Sequence, residues 1–281
     1  DENHLLAAVA QRHSETPYKA YLPLMPIVQP LFLQQLLSHR GYIQLPFLTH
    51  DEVALARQLY QRLHTPDVYH QGRYTTQEVE SAAQRTEVLE QLQILLQPKL
   101  QQLFTDYKIP ILQFFVKQPG SDGGVSFHAD STLLMNPHLE AHYAIWIPLQ
   151  DVDAQNGTLA MLPGSHLQNH SIAATSIPWP HQQWVEEHKQ HIDTLRIPAG
   201  TIVVFDNRLL HASTFNSSTQ PRIAIAGRIT HRLSQYYSFF KNEKGIAVYA
   251  EPDNYYQHPQ WNTGHAPSGS GEAVGYITPD E

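Results

Sequence analysis

The chain contains no cysteine. Disulfides, thiolate nucleophiles and zinc or iron–sulfur centres built on cysteine are therefore excluded, and any metal must be held by histidine and carboxylate. Basic residues are scarce as well: 18 Lys and Arg stand against 26 Asp and Glu, for a formal net charge of −8. No basic block is present to meet a phosphate backbone, which argues against a nucleic-acid partner. A small anion needs only one or two local cations and stays possible. No apolar run approaches the roughly 20 residues that span a bilayer, and no signal-peptide pattern opens the chain. The first residue is Asp, consistent with a trimmed start. The expectation is a cytoplasmic protein, monomer or homodimer, that acts on a small molecule and engages neither membrane nor nucleic acid.

What is present suits a packed domain. Hydrophobic residues make up 41% of the 281 positions, and charged residues 16%. Such a mix buries a core rather than remaining disordered. Residues 1–30 carry Pro17, Pro23, Pro26 and Pro30 and read as an irregular lead. Residues 31–40 have helical apolar spacing and stop at Gly41, a natural helix end. Thr49 and Glu52 fit a capping box that opens a helix to about Leu63. A second helical region is expected over 77–105, broken near Pro98. From about residue 109 the period changes to short β-rich runs such as ILQFFVK, TIVVF and RIAIAGRI. Leading helices followed by many strands predict a β-sandwich or barrel with helices packed on one side.

The segment Phe127-His128-Ala129-Asp130 places one residue between a histidine and a carboxylate. In an extended chain residues i and i+2 point the same way, so His128 and Asp130 can share one ion. With 18 histidines in the chain, a ligand needs more than its residue type. His211, which follows the strand Thr201–Phe205 and a turn, is the candidate third ligand. Two His and one carboxylate form the facial triad of non-haem Fe(II) oxygenases. It leaves three positions open, two for a chelating 2-oxo acid and one for O2.

From Arg222 the chain runs Arg-Ile-Ala-Ile-Ala-Gly-Arg-Ile. As a strand, Arg222, Ala224, Ala226 and Arg228 share one face, while Ile223, Ile225 and Ile229 share the other. The first face, small and cationic, suits a cavity wall where a guanidinium can grip a carboxylate. Charge agrees: a divalent iron, Asp130 and a 2-oxoglutarate dianion sum to one negative charge, which Arg222 would cancel.

These pieces resemble the phytanoyl-CoA dioxygenase family, which includes ectoine hydroxylase. The resemblance runs loosely through 31–60, including Ser38-His-Arg-Gly-Tyr-Ile-Gln-Leu, and well through 110–230. It rests on Lys117-Gln-Pro-Gly, the His128-x-Asp130 pair, Trp146-Ile-Pro-Leu-Gln-Asp151, the run from Asn156-Gly to Pro163-Gly-Ser-His166, and His211 separated from Arg222 by ten residues. It implies a mainly β fold with flanking α-helices around a double-stranded β-helix, the cupin-like jelly-roll. It implies one dioxygenase domain over 1–281: a mostly helical lead to about 108, a core over about 109–230, and a loop or lid over about 231–281. His128, Asp130 and His211 fall on the family's iron ligands, and Arg222 on the position that grips the distal carboxylate of 2-oxoglutarate. Trp146 matches the co-substrate-lining tryptophan, and Ser213, Gln113 and Lys117 lie where further co-substrate contacts occur. The implied cofactors are Fe(II), 2-oxoglutarate and O2, and the implied reaction is C–H hydroxylation with release of succinate and CO2. Related halogenases carry a small residue in place of Asp130, so a carboxylate there favours hydroxylation.

Two other classes fit part of the pattern. One is another jelly-roll metalloenzyme, a zinc hydrolase or a cupin-like isomerase; the other is a catalytically silent binding or sensing domain. Pro163–His166 has turn chemistry and reads as structural. His138, His142, His170 and His181 could border a substrate, although ordinary packing is simpler for each. Aromatics in the expected specificity loops (66–85, 131–141, 167–193 and 232–281) are Tyr69, Tyr74, Trp179, Trp184, Tyr236, Tyr237, Phe239 and Phe240. They suit an apolar pocket, or equally core and dimer contacts. Lys and Arg are too sparse there for a CoA phosphate site, which points to a small substrate without CoA.

Overall fold

A computed structural model describes residues 26–64, 72–79, 81–120, 123–136, 139–177, 181–255 and 272–277. Helix α1 (Leu31–Arg40) ends at Gly41, whose φ of 86° lets its N–H reach back to the Leu37 carbonyl. Only glycine adopts that conformation cheaply. A Cβ there would also lie 2.5 Å from Leu209 Cδ1 and 2.6 Å from His166 Nδ1. Strand β1 (Tyr42–Pro46) follows, and then helix α2 (His50–Leu63). The capping box expected at its start is formed. Thr49 Oγ1 accepts from the Glu52 N–H, and the Glu52 carboxylate accepts from the Thr49 N–H.

The next helix corrects an expectation. Helix α3 (Ala82–Leu103) runs unbroken with Pro98 inside it. Pro98 removes the bond to the Ile94 carbonyl, but both residues lie on the exposed side, where water can take the lost donor's place. Leu89, Leu92, Leu96, Leu100 and Leu103 form a buried stripe at helical spacing. Tertiary packing of that stripe holds the helix through the proline.

The β region forms two facing antiparallel sheets. The larger contains β2 (Arg73–Thr75), β3 (Tyr107–Lys117), β5 (His142–Pro148), β8 (Thr201–Asp206) and β10 (Arg222–His231), in the order β1-β8-β5-β10-β3-β2. The smaller contains β4 (Val125–His128), β6 (Leu159–Met161), β7 (Asp193–Thr194) and β9 (His211–Ser213), in the order β4-β9-β6-β7. Strand alternation sorts the large sheet's side chains between two cores. Ile223, Ile225 and Ile229 join Phe114, Val116, Ile145 and Val204 against the leucines of α1–α3. Ala224, Ala144, Trp146, Val203 and Phe205 face the small sheet and pack with Leu159 and Met161. This is the mainly β jelly-roll with flanking helices expected above. No helix among the described residues is long and apolar enough to cross a membrane.

The segment expected as loop or lid instead contains a third antiparallel sheet of β11 (Tyr236–Asn242), β12 (Gly245–Glu251) and β13 (Gly275–Ile277). Its strands bury Tyr237, Phe239 and Val248 together, while Tyr236 and Tyr74 sit in other cores. Four of the loop aromatics are thus packing residues; Tyr69 and Trp179 lie outside the described residues.

Candidate metal centre and anion pocket

His128 closes β4 and His211 opens β9, and the two are paired directly across the antiparallel ladder. Their rings stand 4.3 Å apart between centroids. Each Nδ1 sits 2.9 Å from a carbonyl two residues back, Ser126 O for His128 and Leu209 O for His211. That contact makes Nδ1 the protonated nitrogen and leaves Nε2 with its lone pair facing inward. Asp130 lies just beyond the end of β4. Asn207 pins it there by donating its side-chain N–H to the carbonyls of Asp130 and Ser131, at 3.2 and 3.0 Å. The two Nε2 atoms then lie 3.8 and 3.9 Å from the Asp130 carboxylate, and one ligand atom from each of the three residues falls within 4.8 Å of the others.

The donor set suits a divalent ion. Asp130 Oδ2 is buried without a hydrogen-bond partner. Burial pushes the Asp130 carboxyl up, but Arg228, then His211, His128 and His142, outweigh it and hold it below the ordinary carboxylate range. Burial, reinforced by His128, pushes His211 down to about 4, so its imidazole is neutral and able to ligate.

Next to the triad lies a cavity of about 180 Å³ lined by Arg73, Gln113, Phe115, Trp146, Phe205, Ser213, Arg222, Ala226 and Arg228 together with the three ligands. Arg222 is 1% exposed, and its Nε and Nη1 have no hydrogen-bond partner. Its guanidinium lies over the rings of Trp146 and Phe115, at 5.1 and 5.3 Å from their centroids. Burial lowers its pKa to about 9, so it remains charged at neutral pH. Buried donors left unpaired are costly, and here they line a polar cavity.

Trp146, Ser213 and Gln113, like Arg222, line this cavity. Gln113 Oε1 also lies 3.4 Å from the Gln77 N–H. Lys117 sits beside the cavity rather than in its wall. It is fully buried, and its ammonium donates to the Ser213 and Thr214 carbonyls at 3.2 and 2.6 Å. Burial, then Arg222 and Arg73, pushes it down to about 7. Pro163–His166 is structural as expected: Ser165 Oγ accepts from the Leu210 N–H at 2.8 Å, and His166 Nε2 meets the Ser38 carbonyl at 3.0 Å.

Two cavity cations were not foreseen as site residues. Arg73 pairs in register with Lys117, which pairs with Arg222, giving a row of three cations across β2, β3 and β10. Arg228 places Nη2 2.6 Å from Asp130 Oδ1. Its place on the face of Arg222 was legible, but its partner was not. The charge count that balanced at Arg222 alone is thereby corrected, because three arginines stand against one aspartate in the wall. His142, 2% exposed with neither ring nitrogen partnered, also lies near Asp130 and Arg228. His138 lies outside the described residues.

The family model described as Phytanoyl-CoA dioxygenase (PhyH) matches residues 43–224. Among curated proteins, the chain is 28% identical over 137 residues to phytanoyl-CoA dioxygenase domain-containing protein 1 of Danio rerio, covering 44% of this chain and 47% of that one. The Mus musculus protein of the same name is 30% identical over 139 residues, covering 45% and 48%. The chain thus spans about half the length of the curated relatives it matches. Among solved structures, the non-heme alpha ketoglutarate dependent carbocyclase SnoK from nogalamycin biosynthesis aligns with a TM-score of 0.54 at 19% identity, covering 76% of this chain and 89% of that one. HygX of Streptomyces hygroscopicus, solved with nickel and 2-oxoglutarate bound, aligns at 0.53 and 13% identity, covering 73% and 88%. At these identities the likeness is one of fold.

Proposed function

The chain belongs to the phytanoyl-CoA dioxygenase family, and from that premise we propose that it is an Fe(II)- and 2-oxoglutarate-dependent dioxygenase. In this proposal it hydroxylates a C–H bond of a small organic substrate and releases succinate and CO2, within a single dioxygenase domain. The observation that carries the proposal is Arg222. A charged, buried guanidinium with unpaired donors opens into the same cavity as a His-Asp-His cluster. A co-substrate that chelates a metal at one end and carries a carboxylate at the other meets both demands.

His128 and His211 would hold Fe(II) through Nε2, and Asp130 through Oδ2, its other oxygen being held by Arg228. Bound there, the iron with O2 and 2-oxoglutarate would supply the oxidising power that breaks a C–H bond. The chain's own part is to bind, orient and exclude water. Arg222 receives the distal carboxylate, and the Trp146 and Phe115 faces keep that guanidinium in one plane. Ser213, Gln113 and Lys117 complete the co-substrate pocket, Lys117 from behind it. The carboxylate of Asp130 occupies the position left to halide in halogenases, which favours hydroxylation.

The decisive assay supplies Fe(II), 2-oxoglutarate and O2 to the purified chain and measures succinate. Succinate and CO2 in equal amounts support the proposal. Tight zinc binding with no response to 2-oxoglutarate would favour a hydrolytic or cupin-like enzyme, and no metal binding at all a silent domain.

A further inference from the structure

The cavity wall holds Arg73, Arg222 and Arg228 against Asp130, a surplus of two positive charges. Loading does not remove it, because a divalent iron and a dianionic 2-oxoglutarate cancel each other. Arg222, deepest and fully buried, is accounted for by the co-substrate carboxylate. Arg228 is not. Asp130 pairs with it at 2.6 Å, but a metal held by Asp130 would draw off that negative charge. The Arg228 side chain is only 18% exposed, so water compensates its charge poorly. Of its five N–H donors, one is spent on Asp130, and Nη1 makes one bond to the Gly227 carbonyl at 3.2 Å. The remaining donors suffice for the two oxygens of a carboxylate.

His128 also borders a second cavity, of about 210 Å³. Ile172, Ala173, Ala174 and Ile177 line it with Asn169, His181 and hydroxyls from Ser131, Ser171 and Thr175, and no Lys, Arg, Asp or Glu is among its described lining residues. The segment that roofs it is tied to the metal loop, since Thr132 N–H donates to the Ala173 carbonyl and Ala173 N–H to Thr132 Oγ1, at 2.7 and 3.0 Å. A molecule seated there has its uncharged body against small apolar side chains and meets the metal centre at His128.

We infer that the primary substrate is a small aliphatic acid whose carboxylate is received by Arg228 while its chain occupies the second cavity bordered by His128. This deepens the proposed function and rests on it: Arg228 becomes a specificity-determining residue that selects an acid over its neutral counterpart.

The test uses the whole chain loaded with Ni(II) and 2-oxoglutarate, an inert pair whose binding is measured first by calorimetry. Failure of that step sinks the dioxygenase assignment and this inference with it. On the loaded protein, hexanoate and hexanamide are compared as matched probes at low ionic strength. Hexanoate should bind about tenfold or more tightly, as expected for a charge-assisted pair. R228Q should abolish the preference and R228K should restore part of it. If the loaded wild-type chain binds the two probes equally, or binds neither, the inference is overturned while the metal and co-substrate assignment stands. The wild-type comparison decides the matter even if R228Q does not fold.

Discussion

Replacing Arg222 with Met should make the metal-free protein more stable and at the same time blind to 2-oxoglutarate. Arg222 is 1% exposed, and its Nε and Nη1 lack partners. Each unsatisfied buried donor costs about 1–3 kcal/mol. The fall of its pKa to about 9 on burial sets an upper bound of roughly 5 kcal/mol for burying the charge. Against this, Met forfeits the stacking on Trp146 and Phe115, worth about 1–2 kcal/mol, but fills similar volume. The net expectation is a gain of about 1–3 kcal/mol, each kcal/mol moving Tm by roughly 2–4 °C in a chain of this size. The sign follows from the depressed pKa. Below pH 9 the native guanidinium is charged and the cost is fully present, so the gain of R222M is largest there and shrinks as pH rises above 9. Thermal melts of both proteins with Mn(II), with and without 2-oxoglutarate, provide the assay. At a hundred times Kd the co-substrate should stabilise the wild-type chain by about 2.7 kcal/mol and R222M hardly at all. A variant that is less stable without ligand, or that keeps the full ligand shift, would refute the reasoning.

Further outcomes are expected. Asp130→Ala should lose iron binding and 2-oxoglutarate turnover. It should also lose about 3 kcal/mol of stability, because Arg228 is stranded; full activity in the variant would show that the ligand assignment is wrong. Lys117 is held at about 7 by burial, Arg222 and Arg73. Its cost to stability is therefore fully present below pH 7 and relieved as pH climbs towards 10.5. An arriving 2-oxoglutarate dianion should recharge it, so calorimetry at pH 8 in buffers of different ionisation enthalpy should register proton uptake, and identical heats in all buffers would count against that placement. Gly41→Ala should cost more than about 1 kcal/mol in a urea melt, given a φ of 86° and a Cβ 2.5 Å from Leu209 Cδ1.

Features that depend on a few neighbouring residues were legible from the chain alone. The Thr49–Glu52 capping box, the stop at Gly41 and the two-faced alternation of Arg222–Ile229 are such features, because period and φ/ψ preference act over one or two turns. So is the pairing of His128 with Asp130, which i, i+2 spacing puts on one side of an extended chain. The tertiary structure decided whatever turned on register or burial. Pro98 stayed inside a helix because a distant sheet packs the Leu92–Leu100 stripe, and no local propensity reports that. The C-terminal segment became a sheet through pairings whose partners are up to 31 residues apart, as Ile246 and Ile277 are. Arg73 reached the site by a row through Lys117 to Arg222. Arg228 met Asp130 across 98 positions of sequence. The sequence by itself determined that two histidines, a carboxylate and an arginine were available at the right intervals. Which cations surround them, and hence the charge left for a substrate to answer, depended on strand register, since Coulomb energy follows distance in space rather than along the chain.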